Sequence, residues 1–301
     1  MVNILIVAIL ISFGFYFKKI NILPQRFELG LNKILIYFFI PILTFLYLPE
    51  LRFSLEHLWL ILTPWIIYLG SITYFYGLNK IFQYERSTLG ALIMTSGIGS
   101  ISFVGLPIFD MFYGQRGLEY GIILSLGGTF VVCNSIGTIT GVWFKDHQPN
   151  FKKVIRGIFT FPPFLVMLLS FVLMLFNYQH PLLIKSILTK LSSPFSVLAL
   201  LSIGLQLDIK GFNTHKKHFF IGTLYKLVLA PFIIFGILFL FGMHDSVVGQ
   251  ICILGAGIGA MNTIAIIAAD FDLQPKLALL IPALSIPISV FSIILIYYLI
   301  Q

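Results

Sequence analysis

Runs of apolar residues, each about as long as a bilayer is thick and parted by short polar breaks, follow one another from end to end of the chain. A helix needs roughly 20 mainly apolar residues to cross the hydrocarbon core, and helices satisfy their own backbone groups there. The pattern predicts ten spans, at 2–17, 30–48, 58–78, 87–113, 117–144, 157–177, 183–207, 218–241, 246–271 and 277–300. The expected fold class is therefore an all-α polytopic membrane protein. Polar stretches between spans reach only about ten residues, which leaves one transmembrane domain over 1–301 and little chain for a soluble one. Met1 to Phe17 lacks a basic leading region and a small-residue cleavage site, so it reads as the first span and not as a removable signal peptide.

Two spans do not read as plain helices. The fourth contains Thr95-Ser-Gly-Ile-Gly-Ser-Ile-Ser-Phe-Val-Gly-Leu-Pro107, where Gly97, Gly99 and Gly105 weaken the helix. Pro107 removes a donor and disfavours helical geometry at Leu106, so one half-helix should end near Gly99 and another start near Leu106. The ninth holds Gly255-Ala-Gly-Ile-Gly-Ala-Met-Asn-Thr263, with Gly257 and Gly259 at its centre and no proline. These segments also resemble each other. Ser96-Gly-Ile-Gly-Ser100 pairs with Ala256-Gly-Ile-Gly-Ala260, and Pro64-Trp-Ile-Ile-Tyr68 with Pro231-Phe-Ile-Ile-Phe235, at offsets of about 160 to 167 residues. Chance recurrence of common membrane tripeptides competes with either match alone; two matches in the same order weaken it. Repeats of five spans each, approximately 1–145 and 155–301 around a cytoplasmic loop at 145–156, would enter the membrane in opposite senses. Inverted repeats with discontinuous helices are a recurring transporter architecture, with the site near the midplane.

Composition agrees with a lipid solvent: 58% of residues are hydrophobic, 10% are charged and the mean hydropathy is +1.01. Charge then sets the orientation. Lys18, Lys19, Arg26, Lys33, Lys80, Arg86, Lys145, Lys152, Lys153, Arg156, Lys210, Lys216, Lys217 and Lys276 fall on one side, and only Arg52, Arg116, Lys185 and Lys190 on the other. Basic loops stay cytoplasmic, so both termini are expected on the non-cytoplasmic side of a cell (plasma or inner) membrane. The net charge of +8 lies in these loops and suits lipid headgroups, not nucleic acid. Cys133 and Cys252 lie in separate apolar segments, where inert buried thiols are the default. The histidines fall in or beside loops, and the lysines between His215 and His218 oppose a metal ion there. No nucleotide-binding glycine loop or catalytic constellation stands out, so neither a cofactor, a resident metal nor an enzyme is expected.

The broken spans point to chemistry. A break exposes the positive end of one half-helix and the negative end of another, and free amides beside short polar side chains suit a carboxylate. Ser100, Ser102, Asn262 and Thr263 are placed there, while Asn134 with Ser135 in mid fifth span either lines the same space or simply bridges helices. The competing explanation is that small residues merely let helices pack closely. Ionisable residues within spans are few. Lys226, about two turns into the eighth span, would attract an anion or stand in for a coupling cation, unless its stem snorkels to the inner surface. Asp110 and Glu119, near outer span ends, are protonatable gating candidates whose alternative is plain solvation.

Three motifs carry a family resemblance. Asn32-Lys-Ile-Leu-Ile-Tyr-Phe-Phe-Ile-Pro41 is similar to the N-K-x-x-x-Y-x-x-x-P opening of the auxin efflux carrier family. Ser100-Ile-Ser-Phe-Val-Gly-Leu-Pro107 resembles its fourth-span N-x-G-F-x-G-x-P, and Ala268-Ala-Asp-Phe271 with Asp272 resembles the end of its ninth span. The resemblance implies crossing fourth and ninth helices, a panel formed by spans two and seven, kinship with bile-acid symporters and sodium/proton antiporters, and substrates such as malate or malonate. This chain departs from the family at Ser100 (usually asparagine), at Ser102 (usually glycine) and in lacking a ninth-span proline. Residues and resemblance together predict a secondary active permease for small organic anions such as dicarboxylates, working by alternating access on the membrane potential or on a proton or sodium gradient. A membrane-embedded sensor or scaffold with no flux is the alternative. Apolar faces leave room for a homodimer, without a specific signal for one.

Overall fold

A computed structural model of the chain describes residues 2–20, 23–24, 27–145, 151–206 and 212–300. Arg26, Lys210 and residues 146–150 of the expected cytoplasmic loop lie outside these. The described chain is helical, without a β-strand. In chain order its helices are α1 (Val2–Lys19), α2 (Phe27–Glu50), α3 (Leu55–Phe82), α4 (Arg86–Gly97), α5 (Ile101–Tyr113), α6 (Gln115–Phe144) and α7 (Phe151–Phe159). They continue as α8 (Pro162–Leu175), α9 (Leu182–Gln206), α10 (Phe212–Leu240), α11 (Val247–Ala256), α12 (Asn262–Asp270) and α13 (Pro275–Ile300). Six of them, α2, α3, α6, α9, α10 and α13, are long and apolar enough to cross a membrane, and α5, α8 and α11 are shorter apolar helices. Their outward faces carry exposed Leu182, Leu240 and Phe291, as a lipid-facing surface requires.

The expected fourth and ninth spans are each two helices. α4 stops at Gly97 and α5 resumes at Ile101; α11 stops at Ala256 and α12 resumes at Asn262. Several boundaries differ from the sequence expectation: the second, third and eighth spans start earlier, at Phe27, Leu55 and Phe212. The sixth span begins not at 157 but at Pro162, because Pro162 and Pro163 cannot continue α7 yet fit the first turn of α8.

Prolines also explain a recurring local widening. The π-helical turns Leu35–Phe39, Ile101–Gly105 and Tyr225–Leu229 each end two residues before a proline: Pro41, Pro107 and Pro231. A proline ring would collide with the carbonyl four residues back, and a wider turn moves that carbonyl aside. Two more wide turns, Ile123–Phe130 and Cys133–Gly137, lie within α6.

The helices sort into two packed groups. α3, α4 with α5, α6, α10, α11 with α12, and α13 pack around the two breaks, where residues 88–101 and 251–260 are all buried. α2 packs on α8 and α9, and α1 lies along the Phe195–Gln206 part of α9. There the two backbones touch: a Cβ on Gly14 would sit 2.2 Å from the Leu201 carbonyl oxygen, and one on Gly204 2.1 Å from that of Ile11. Small residues permit this approach. Lys185 bonds Glu50 at 2.5 Å, tying the start of α9 to the end of α2. Lys145 pairs with Asp272, whose carboxyl it holds below the usual aspartate range. Both partners of that pair are solvent-accessible, so it contributes little to stability.

Candidate functional site

The two breaks meet. Gly99 and Ala260 face each other in an antiparallel bridge, with the Ser100 amide donating to the Gly259 carbonyl at 2.8 Å and the Met261 amide to the Ile98 carbonyl at 2.9 Å. The Ala260 amide donates to Ser285 Oγ at 3.0 Å. Backbone that leaves the helix deep within an apolar protein must find such partners. Glycine is required by space at two of these points. A Cβ on Gly97 would lie 2.6 Å from Ser71 Oγ and from a Tyr68 ring carbon, and one on Gly259 would lie 2.5 Å from the Ser285 backbone. Gly105 and Gly257 face Ile258 and Ile296 side chains instead, with a Cβ at 2.8 and 3.0 Å from their ends. Pro107 sits in the first α-helical turn after the wide turn of α5.

On one side of the crossing lies a cavity of about 270 Å³. The starts of α5 (Ile101, Ser102, Phe103) and α12 (Met261, Thr263) open into it, so two positive helix ends converge there. Ser100 lines it too, and its buried Oγ has no hydrogen-bond partner among the described residues. α6 supplies Ser125, Thr129, Phe130 and Asn134, and Tyr37 and Phe161 also line the cavity, with the Phe161 ring stacked on that of Phe130. Ser102 Oγ and Ser125 Oγ are 2.5 Å apart, and Asn134 Nδ2 donates to the Phe130 carbonyl at 2.9 Å, leaving its side-chain oxygen free to accept. No Lys, Arg, Asp or Glu among the described residues lines this space.

Of the residues singled out from sequence, the structure thus brings Ser100, Ser102, Thr263 and Asn134 to one cavity. Asn262 is placed otherwise. Its side-chain amide donates to Gln206 Oε1 of α9, and Gln206 Nε2 donates to Ser202 Oγ at 3.0 Å and to Asn32 Oδ1 at 3.4 Å. Ser202 Oγ donates to the same Asn32 oxygen, so a chain of polar side chains joins α2, α9 and α12. Asp110 accepts from Ser196 Oγ at 2.8 Å, linking α5 to α9, and makes no ion pair with Lys226. Glu119 accepts from Gln115 Nε2 at 2.7 Å.

Lys226 does not reach a surface. It is 1% exposed, in the wide turn of α10, and its ammonium lies 3.1 Å from where a Gly99 Cβ would be. It faces a void of about 10 Å³ bordered by Gly97 and Gly255, the carboxyl ends of α4 and α11. A void of that size holds about one water. The crossing is therefore polarised: two positive helix ends face the cavity, and two negative ends face an ammonium behind Gly99. Three polar cavity residues escaped sequence reasoning, namely Tyr37, Ser125 and Thr129. The four-residue spacing of Ser125 and Thr129 in an otherwise apolar fifth span was the available signal.

A protein helical throughout its described residues, with apolar outer faces and with two broken helices crossing beside an internal cavity that several hydroxyls line, has the architecture of a membrane transporter. The chain matches the family described as membrane transport protein twice, over residues 1–152 and 147–297, and it belongs to that family, the auxin efflux carriers. It is a multi-pass membrane protein. It is 30% identical over 237 residues to an uncharacterized transporter of Methanocaldococcus jannaschii, covering 76% of this chain and 75% of that one. It is 25% identical over 288 residues to an uncharacterized transporter of Methanothermobacter thermautotrophicus, covering 91% and 90%.

Proposed function

We propose that the protein is a secondary active carrier of small organic anions, dicarboxylates among them, working by alternating access and driven by the membrane potential or an ion gradient. One observation carries this reading: the amino ends of α5 and α12 converge on a cavity lined with hydroxyls, one of which, Ser100 Oγ, is buried and lacks a partner. Each helix end presents free amides and about half a positive charge, which suits a carboxylate. Aromatic and aliphatic walls would take the rest of the molecule. The antiparallel meeting of the breaks and the two successive family matches support two five-span repeats inserted in opposite senses, and the basic loops favour both termini outside. A membrane-impermeant label should then reach tags at both ends on intact cells; tags shielded at both ends would reverse that orientation, and a tag shielded at one end alone would overturn the even number of spans.

Reconstituted vesicles offered labelled malate, malonate, lactate or benzoate should show saturable uptake of at least one, above that of protein-free vesicles. Binding without flux would favour the sensor or scaffold reading, and neither binding nor flux would defeat both. Ser100→Ala removes a hydroxyl that bonds nothing among the described residues. Melting should stay put while the KM for the carried anion rises about 2- to 10-fold, the worth of one hydrogen bond. An unchanged KM would remove Ser100 from the site.

A further inference from the structure

We infer that Lys226 supplies the fixed positive charge that makes the carrier electrically neutral when it holds a monocarboxylate, so that the membrane potential acts on the empty carrier alone. This rests on the carrier reading above and adds to it which step the voltage drives. A single layer of residues separates the Lys226 ammonium from the cavity: Gly99, Ile101 and Thr129 line both the cavity and the void behind it. α10 packs with α3, α11 and α13 in the group that surrounds the crossing, so Lys226 and the cavity share one packed unit. Whichever group moves, the field acts on the sum of their charges.

A lone buried ammonium is costly, and no carboxylate among the described residues lies within 4 Å of it. The carboxyl ends of α4 and α11 take the carboxylate's place. Each carries about half a negative charge, so the pair offsets about one ammonium, and the water-sized void provides for its remaining hydrogens. Among the described residues the cavity adds no other charged side chain. The account of charge is then short. Lys226 and the cavity together carry +1 without an anion, 0 with a monocarboxylate and −1 with a dicarboxylate.

Exchange of one anion across both faces of a vesicle uses only the loaded carrier, and so reads its charge directly. With the potential clamped by potassium and valinomycin, lactate or benzoate exchange should be flat between zero and about 100 mV. Malate or malonate exchange should change roughly sevenfold over the same range, as for one charge with half the field ahead of the barrier. Lys226→Gln should give lactate or benzoate the sevenfold dependence, and Lys226→Arg should keep it flat. If only a dicarboxylate is carried, Lys226→Gln should steepen its dependence to about fiftyfold. Monocarboxylate exchange as steep as dicarboxylate exchange in the unaltered protein, or a Lys226→Gln profile like the parent's, would overturn the inference while leaving the carrier intact. Should that variant not yield monodisperse protein, the parent's own slopes decide. No saturable flux of any of the four anions would overturn the carrier reading and this inference with it.

Discussion

Gly259→Ala is expected to cost the protein its crossing. The added methyl would sit 2.5 Å from both the carbonyl carbon and oxygen of Ser285 and 2.6 Å from the Ile286 nitrogen. These are backbone atoms of α13, which cannot rotate away as a side-chain tip would. Either α13 or the broken segment must move, and the bonds from Ser100 to Gly259 and from Ala260 to Ser285 would stretch with it. Overpacking alone costs about 1–3 kcal/mol, and two loosened hydrogen bonds in a buried setting add to that. The melting temperature in detergent should fall by about 5 °C or more, with transport lost. Gly236→Ala in α10 is the matching control: nothing lies within 4 Å of its added methyl, so melting should hardly change. Equal stability of the two variants would mean that the crossing does not depend on close backbone contact there.

The contrast between what the sequence discloses and what it hides follows from which forces act at each scale. Span positions are legible because the solvent imposes them: no polar run longer than about ten residues interrupts the apolar pattern. The breaks are legible because glycine and proline act locally, and the helix ends fall within a few residues of their expected places. Facing is another matter. In an apolar helix the periodicity that marks a buried face in water disappears, so nothing along residues 218–241 told whether Lys226 points to the membrane surface or to the crossing. The same loss hid Ser125 and Thr129 on α6, and it let Asn262 be assigned to the cavity when its amide serves Gln206. The wide turns before Pro41, Pro107 and Pro231 shift the helical phase as well, which a fixed 3.6-residue count does not follow.

Thr263→Asp should raise stability and abolish transport together. Thr263 is in the first turn of α12, and its exposed side chain lines the cavity into which that helix end points. A carboxylate at such a position is stabilised by the free amides and the dipole, by about 0.3–1 kcal/mol and up to about 2 when partly buried. It would also occupy the place proposed for the substrate's own carboxylate, with like charge repelling any anion that approached. Even about 3 kcal/mol of lost binding amounts to a factor of roughly 100, enough to take uptake to background. Thermal melting in detergent and labelled uptake in vesicles check both signs on the same preparation. The pairing discriminates where a simple loss would not, since a misfolded variant loses activity and stability at once. Thr263→Ala, which introduces no charge, should leave stability nearly unchanged and transport detectable. Uptake by Thr263→Asp at the parent's rate would show that anions do not bind at the amino end of α12, and a lowered melting temperature would show that this end does not attract negative charge.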